Sequence, residues 1–277
     1  NVLIISNNLF SDCLALTKVS IGSNVQSIDG SAFKNCVNLA EISVNNNKEG
    51  FYEEDNIIYL DKGEDVSIVF APYSIVGKVT INSKVTEIGN YVFSSHAKIT
   101  EVILPTGLEK IGMGTFSGCS GLTKIIVPAK VNMVSNFAFQ NCTNLASVEF
   151  LGTIIEIGQS AFEGCTFLED FTIDTEVKKI GSKAFFGCEN LKNIVIPNGI
   201  EEIGTSAFAG CNGLESIVIP EVIEIIVDSL FENCGSLKEV VFQGEVTEIN
   251  NNAFAGCSSL EEIELPNTVR IIHSAAF

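Results

Sequence analysis

The stretch Ile203–Pro220 reads IGTSAFAGCNGLESIVIP, and segments close to it recur between Leu9 and Phe277. Cysteine marks this repeat most clearly, because a Phe lies three residues before each of the nine Cys residues. A fixed period of this kind is typical of a solenoid, in which each repeat buries its apolar face against its neighbours. Seven cysteines follow one another at steps of 23 residues: Cys119, Cys142, Cys165, Cys188, Cys211, Cys234 and Cys257.

Each coil of 23 residues places apolar side chains at fixed positions, which we number from Leu214 as position 1. Positions 4 and 6 are apolar and mostly β-branched, and this alternation predicts one short strand per coil. Strands that stack in one direction form a parallel sheet. Position 1 recurs along the chain and predicts about eleven coils, which begin at Leu16, Leu39, Val76, Ile99, Leu122, Leu145, Leu168, Leu191, Leu214, Leu237 and Leu260.

The other half of the coil predicts a helical turn. Position 15 is Asn, Ser, Thr or Asp in most coils, and these residues are preferred N-caps. The Phe and Cys that follow are three residues apart, so they share one buried face of a short helix or 3-10 turn. We therefore expect an α/β solenoid. Glycine at position 14 suits a tight bend, but Val227 and His273 occupy the same position, so a positive φ is not required there.

One coil is longer than the others. The step from Leu39 to Val76 is 37 residues, and residues 45–75 form an insertion within it. Two strand-like runs, Ile57–Leu60 and Val66–Phe70, flank a turn-rich segment of five residues, which predicts a hairpin. The insertion holds three of the four tyrosines, Tyr52, Tyr59 and Tyr73.

The chain has 277 residues, with 34 acidic and 16 basic side chains and a net charge of −18. Such a surface repels phosphate backbones and anionic lipid, so neither nucleic acid nor a bare membrane is an expected partner. No apolar run approaches the ~18 residues that a membrane span needs. Both ends of the chain lie inside repeats, so we expect residues 1–277 to be a single solenoid cut from a longer protein.

The pattern Lxx(I/V)x(I/V)PxxVxxIGxxAFxGCxx, seen in residues 191–213, closely resembles the BspA-like (type 5) leucine-rich repeats. The resemblance covers essentially the whole chain. It implies a curved right-handed superhelix with its parallel sheet on the concave side and the helical turns on the convex side. It also implies a surface or secreted protein of host-associated bacteria or parasitic protists, linked to adhesion. The insertion is similar to one in that family, although Ala71-Pro72-Tyr73 matches it imperfectly.

The sequence supports neither catalysis nor a cofactor nor a metal site. Zinc sites need clustered ligands such as C-x2–4-C pairs, and the nine cysteines form none. Disulfides are not expected, because side chains that repeat one coil position point in parallel. His96 occupies the Cys position of its coil and His273 lies near the chain end, so neither is a convincing general base. The acidic residues of the insertion lack EF-hand spacing, which leaves calcium there as a minor alternative.

The outward face of the sheet is the preferred binding surface. Position 5 points away from the core and is apolar in five coils, although such a surface should be polar. Strand propensity explains this equally well. The tyrosines of the insertion would also suit a protein or sugar partner. The candidate ligand-binding residues are Ile103, Ile126, Val195, Val218, Val241, Glu149 and Glu264 on the sheet, and Tyr52, Tyr59 and Tyr73 in the insertion.

We therefore expect a non-enzymatic extracellular scaffold that recognises a host or microbial protein or glycan. The cell-surface or secreted location follows from the resemblance alone. The alternative is an intracellular leucine-rich-repeat adaptor for protein–protein interaction, for which free cysteines are equally natural. A third class, a glycan-active enzyme, would need two carboxylates that face one pocket.

Overall fold

In the computed structural model, the chain forms a β-solenoid of about 12 turns with about 23 residues per turn. The structure describes residues 2–45, 47 and 49–277. Parallel strands occur at two places around the turn. We name them the front sheet, built from coil positions 3 to 6, and the second sheet, built mainly from positions 12 and 13.

Strand pairing confirms the predicted parallel sheet, since neighbours pair with a shift of one coil, as Ile126 does with Glu149. The predicted coil count omitted the turn before Leu16, which contributes Ile4–Ile5. The front sheet contains Lys18–Ile21, Glu41–Val44, Gly77–Thr80, Ile99–Ile103, Lys124–Val127, Ser147–Phe150, Ser216–Ile219 and Glu239–Phe242. The second sheet contains Ile4–Ile5, Ser27–Ile28, Val85–Ile88, Lys110–Ile111, Met133–Val134, Glu156–Ile157, Lys179–Ile180, Glu202–Ile203, Ile225–Ile226, Glu248–Ile249 and Ile271–Ile272.

The front sheet is interrupted twice: between its second and third strands, where the insertion lies, and between its sixth and seventh strands. Within the described residues 169–196 there is no front strand, and a single bridge joins Asp170 to Asn193. Phe171 occupies position 4 there, where most coils have Ile or Val, and its ring packs edge-on against two core Phe rings with centroids 4.9 Å away. We attribute this second interruption to the bulkier inward side chain. The strands predicted for these two coils, and for the coil at Leu260, are wrong.

The predicted helical turns are largely absent. Among the described residues, the one helix is the 3-10 helix Gly30–Phe33, where the side chain of Asp29 accepts a hydrogen bond from the amide of Ser31. In most other coils position 16 has a left-handed backbone, with φ 60° at Phe137 and 57° at Lys183. This conformation costs a non-glycine residue about 1–2 kcal/mol, and it cannot belong to a right-handed helix.

Hydrogen bonds between coils explain why turns replace the helix. The amides of positions 16, 18 and 20 donate to carbonyl groups of the next coil, whereas in a helix they would donate four residues back. Buried amides need a hydrogen-bond partner whether they lie in a helix or in a turn. Bonds to the next coil satisfy these amides and also connect each coil to its neighbour. In one representative coil the bonds run from Phe137 to Gln159 at 2.8 Å, from Phe139 to Ala161 at 2.8 Å and from Asn141 to Glu163 at 2.7 Å.

Glycine at position 14 is used for close approach between coils. A Cβ added at Gly112 would lie 2.6 Å from the backbone carbonyl carbon of Gly89, and one added at Gly158 would lie 2.6 Å from the amide of Asn136. Neither Gly112 nor Gly158 has a positive φ, which agrees with the prediction made from Val227. The small residue therefore brings adjacent backbones together at this corner of the turn.

Stacked Phe rings form the centre of the core. From Phe93 to Phe254 the Phe of each coil is buried, and consecutive ring centroids lie 5.4–5.7 Å apart. Stacking of this kind contributes about 0.5–1.5 kcal/mol per pair beyond the burial of apolar area. The predicted inward row of Phe side chains is confirmed.

The cysteines form a second buried row beside the Phe rings. From Cys119 to Cys257, each Sγ lies 3.0–3.3 Å from the carbonyl oxygen of the Phe in the preceding coil, so the thiol can donate a hydrogen bond to it. All nine cysteines lie within the described residues and are free. Burial raises the pKa of Cys119 and of Cys211 to about 12, so these thiols stay protonated at neutral pH.

A thiol reagent should therefore separate the cysteines into two classes. In the native protein we expect fast modification of the exposed Cys13 and slower modification of the partly buried Cys257, while the seven buried thiols react only after denaturation. Mass spectrometry of the alkylated peptides reports each position. Rapid native labelling of Cys165 or Cys188, or disulfides between coils under non-reducing conditions, would contradict the buried row.

The insertion has three strands, one more than the predicted hairpin. Phe51–Glu54, Ile57–Asp61 and Val66–Phe70 pair antiparallel in that order. The third strand pairs in parallel with Val85–Ile88, so the insertion extends the second sheet. The first strand was not predicted because its acidic end, together with Asp55, has the composition of an exposed loop.

The insertion also separates two hydrophobic cores. Phe70 faces the core of the first coils, where its ring packs edge-on against Phe33 with centroids 5.3 Å apart. Tyr59 and Ile68 face the core of the remaining coils. The insertion is therefore a structural part of the solenoid that replaces the missing Phe and Cys of its coil.

Candidate functional site

Three outward valines lie side by side on the front of the solenoid. Val218 and Val241 are register partners on adjacent strands, and their side chains are 42% and 41% exposed. Val195 belongs to the preceding coil, in the interrupted part of the front sheet, and is 74% exposed. We name Val195, Val218 and Val241 the valine patch.

A second apolar surface lies nearer the N-terminal end. Ile103 and Ile126 occupy position 5 of adjacent coils and are exposed. They line a groove of about 230 Å³ together with Leu151 and Pro128. Sequence reasoning missed Leu151, although a Leu at position 7, where several coils have Pro, was the available signal. We name Ile103, Ile126 and Leu151 the isoleucine patch.

Acidic side chains interrupt and border these patches. Glu149 pairs in register with Ile126 and separates the isoleucine patch from the valine patch. Glu264 lies beyond the valine patch, in a groove of about 630 Å³ that Val241, Glu239 and Glu262 also line. The predicted residues of the sheet are therefore all at the surface, in two apolar groups with acidic neighbours.

Many lysines of the solenoid form an ion pair with a carboxylate of an adjacent coil. These ion pairs are exposed, so each contributes only about 0.2–1 kcal/mol to stability. Opposite charges 23 residues apart in the sequence were the signal for them. On the front face the pairs are Lys18 with Glu41 at 2.5 Å, Lys78 with Glu101 at 3.3 Å, Lys238 with Glu215 at 2.9 Å, and Lys192 with Glu169.

The tyrosines of the insertion take part in its own packing. Tyr59 is only 4% exposed, so little of its side chain is available to a partner, and the same burial raises its pKa to about 12. The hydroxyl of Tyr73 accepts a hydrogen bond from the amide of Asn35 at 2.8 Å. Tyr52 and Tyr73 are both partly exposed, and Tyr52 stacks on Tyr59 with ring centroids 5.1 Å apart.

His96 is a packed substitute for cysteine. It is buried, its Nδ1 and Nε2 atoms lie 3.1 Å from the carbonyl oxygens of Ser94 and Pro72, and its ring stacks on Tyr73. Burial lowers its pKa, so the ring is neutral at physiological pH. Its role is to join the insertion to the core.

Metal-binding clusters and membrane-spanning helices are both absent from the described part of the chain. It contains no cluster of three or more His, Cys, Asp or Glu residues arranged to hold a metal ion. It contains no helix with the length and apolar character needed to cross a bilayer.

The repeated coils, the Phe and Cys rows and the parallel sheets define a repeat solenoid of the leucine-rich-repeat class. The chain belongs to the family of the BspA type leucine rich repeat region, whose six-copy model matches residues 1–57, 67–192 and 155–277. Residues 58–66, which no match covers, lie within the insertion.

Solved structures share this fold. A leucine-rich repeat protein from Bacteroides ovatus is 25% identical with a TM-score of 0.68, and the match covers 100% of this chain and 80% of that one. The leucine rich repeat protein of Treponema pallidum is 26% identical with a TM-score of 0.51, over 72% of this chain and 84% of that one. A leucine rich cell surface protein from Faecalibacterium prausnitzii is 24% identical with a TM-score of 0.52, over 99% and 83%. No curated protein matches this chain.

Proposed function

We propose that the protein is a non-enzymatic scaffold that binds a protein or glycan partner on the front sheet. The valine patch carries this proposal, because Val218 and Val241 lie in register and are 42% and 41% exposed. Contiguous exposed apolar side chains mark interaction sites in soluble proteins. Their burial under a partner would contribute about 25 cal/mol per Å² of apolar area.

We further propose that the scaffold works at the cell surface or outside the cell, in adhesion to host or microbial molecules. Membership of the BspA-type family supports this location. The intracellular adaptor is the second candidate, because nine free cysteines are equally natural in a reducing compartment. An antibody against this protein, applied to fractions of the source cells, distinguishes the adhesion scaffold from the adaptor. Detection of the protein on the surface of intact cells supports adhesion, and detection in the cytosol alone supports the adaptor.

Val218→Glu should abolish binding while the fold is kept, since position 5 faces solvent and the new carboxylate would have to be desolvated under the partner. The measurement is binding of the protein to an array of extracellular-matrix proteins and glycans, with circular dichroism as the check of folding. Val222→Glu is the matched control, because Val222 is 51% exposed but lies at coil position 9, outside the front sheet. Normal binding by the Val218 variant would exclude the valine patch.

The insertion is the competing surface, and the structure dictates how to test it. Removal of residues 53–73 would take Phe70 and Ile58 out of the core and unfold the neighbouring coils. Replacement of the exposed turn 62–65 by Gly and Ser residues changes only the surface of the insertion. Tyr52→Ser also removes the ring that stacks on Tyr59, so circular dichroism must show that this variant keeps its fold. Loss of binding in these variants, together with normal binding by the Val218 variant, would show that the insertion is the surface that binds the partner.

A further inference from the structure

We infer that the partner held by the valine patch is an extended protein segment in which Lys or Arg side chains alternate with apolar ones along one face, so that each lies two residues from the next. This inference rests on the proposed function and deepens it by naming the chemistry of the partner. It follows from the charges that surround the patch, from their spacing relative to the valines, and from a comparison with the isoleucine patch.

The charge around the valine patch is strongly negative. Lys192 and Lys238, the lysines at position 2 of this region, are each already held by a carboxylate at position 2 of the preceding coil. Four further carboxylates at positions 3 and 5 have no lysine or arginine partner among the described residues: Asp170, Glu239, Glu262 and Glu264. A cationic partner would neutralise them, and an anionic one would be repelled.

The spacing of acids and valines suits an alternating segment. Glu239 lies two residues before Val241 on one strand, so their side chains emerge on the same face about 6–7 Å apart. Glu264 occupies position 5 of the next coil, about 5 Å further along the solenoid. A segment that lays an apolar side chain on Val218 and Val241 would therefore place flanking cations over Glu239 and Glu264.

The isoleucine patch provides an internal comparison. Its nearby Glu101 is paired with Lys78 at 3.3 Å, and Lys124 lines the same groove, so charge there is balanced. The preference for a cationic segment thus belongs to the valine patch and not to the whole front sheet.

The test uses fluorescein-labelled peptides of defined sequence and fluorescence anisotropy with the purified chain. A peptide whose Lys and Val side chains alternate along one face of an extended chain (KSVSKSVSK) should bind, and binding should weaken between 50 and 300 mM NaCl. The control peptides ESVSESVSE and KSSSKSSSK should bind at least tenfold more weakly, because the first is repelled and the second lacks the apolar contact. Equal binding of KSVSKSVSK and KSSSKSSSK would overturn the inference.

Two triple variants change the net charge by the same amount at different places. Comparing their peptide affinities shows whether binding depends on the acids beside the valine patch or on the overall charge of the protein. Glu239→Gln, Glu262→Gln and Glu264→Gln together should raise the Kd for KSVSKSVSK by on the order of tenfold, as expected from three exposed ion pairs. Asp55→Asn, Glu64→Gln and Asp65→Asn, all exposed on the insertion, should change it less than about twofold. An equal loss in both variants would show that net charge alone attracts the peptide.

Failure of this inference is distinguishable from failure of the proposed function. If the array identifies a glycan or an anionic protein whose capture depends on Val218, the scaffold function stands and the cationic segment is wrong. If KSVSKSVSK binds and Val218→Ser, which removes the apolar contact without adding charge, leaves that binding unchanged, the valine patch is not the site and both proposals fail.

Discussion

The solenoid should unfold near pH 10, about one pH unit above the ordinary pKa of a cysteine thiol, which is 9.0. Six of the seven buried thiols, those of the uninterrupted row, are responsible: Cys119, Cys142, Cys165, Cys188, Cys211 and Cys234. Burial raises the pKa of every one of them, to about 12 for Cys119 and Cys211. Each thiol also donates to a Phe carbonyl oxygen, and ionisation would remove that donor.

The sign of the effect follows from these raised values. A group whose pKa is higher in the folded state gives its full stabilisation below the unfolded pKa and loses it as the pH rises toward the folded pKa. The window therefore opens near pH 9 and extends to about pH 12. At pH 10 each thiol has cost on the order of 1 kcal/mol, so six together cost several kcal/mol, which approaches the whole stability of a typical domain.

Urea midpoints measured by circular dichroism between pH 7 and pH 10.5, in the presence of a reductant, test this expectation. The matched variant Cys165→Ser/Cys188→Ser keeps a donor at both positions but removes two titrating groups. Its midpoint should be lower at neutral pH, because two hydroxyls are buried, yet it should fall about one third less steeply above pH 9. Parallel curves for the variant and the parent would show that the thiols do not set the alkaline limit.

The repeat and the buried rows of Phe and Cys could be predicted from the sequence, because the pattern within a single coil determines them. The Phe at position 18 and the Cys at position 21 recur every 23 residues, and no other arrangement buries them all. Burial of Phe208 and Cys211 and exposure of Val218 follow from that register.

What the sequence did not reveal depends on contacts between coils. The helical turns were predicted from Phe and Cys spacing and N-caps, but the amides of residues such as Phe139 bond to the next coil instead. The break in the front sheet depends on Phe171 meeting rings from two neighbouring coils. The strand Phe51–Glu54 forms because Ile57–Asp61 pairs with it, although its own acidic end favours a loop.

The candidate site could also be predicted in part: the features set within one coil were predictable, and those set by contacts between coils were not. Alternation along the strand predicts that Val195, Val218 and Val241 face outward, and all three are exposed. Tyrosine content alone suggested a surface role for Tyr59, and its burial became visible only when the insertion was placed between the two cores. The excess of acid beside the valines emerged once Lys238 was seen to be held by Glu215.

Phe208→Ala should cost about 3–5 kcal/mol, the usual range for a fully buried Phe. The ring of Phe208 is 0% exposed and stacks between Phe185 and Phe231, with centroids 5.5 and 5.7 Å away. Its removal leaves a cavity in the middle of the row and deprives both neighbours of a stacking partner. Phe186→Ala is the matched control, because that ring is 38% exposed at position 19, and it should cost less than about 1 kcal/mol.

The weakened coil should also change how the solenoid unfolds. Each coil contacts only its neighbours, so loss of Phe208 in a central coil uncouples the segments on either side. Urea transitions should then cease to be two-state. Amide hydrogen exchange should accelerate first in the coils around Phe185, Phe208 and Phe231 and later in those around Phe116. A loss below about 1 kcal/mol, or acceleration spread evenly over all coils, would mean that the Phe row does not hold neighbouring coils together.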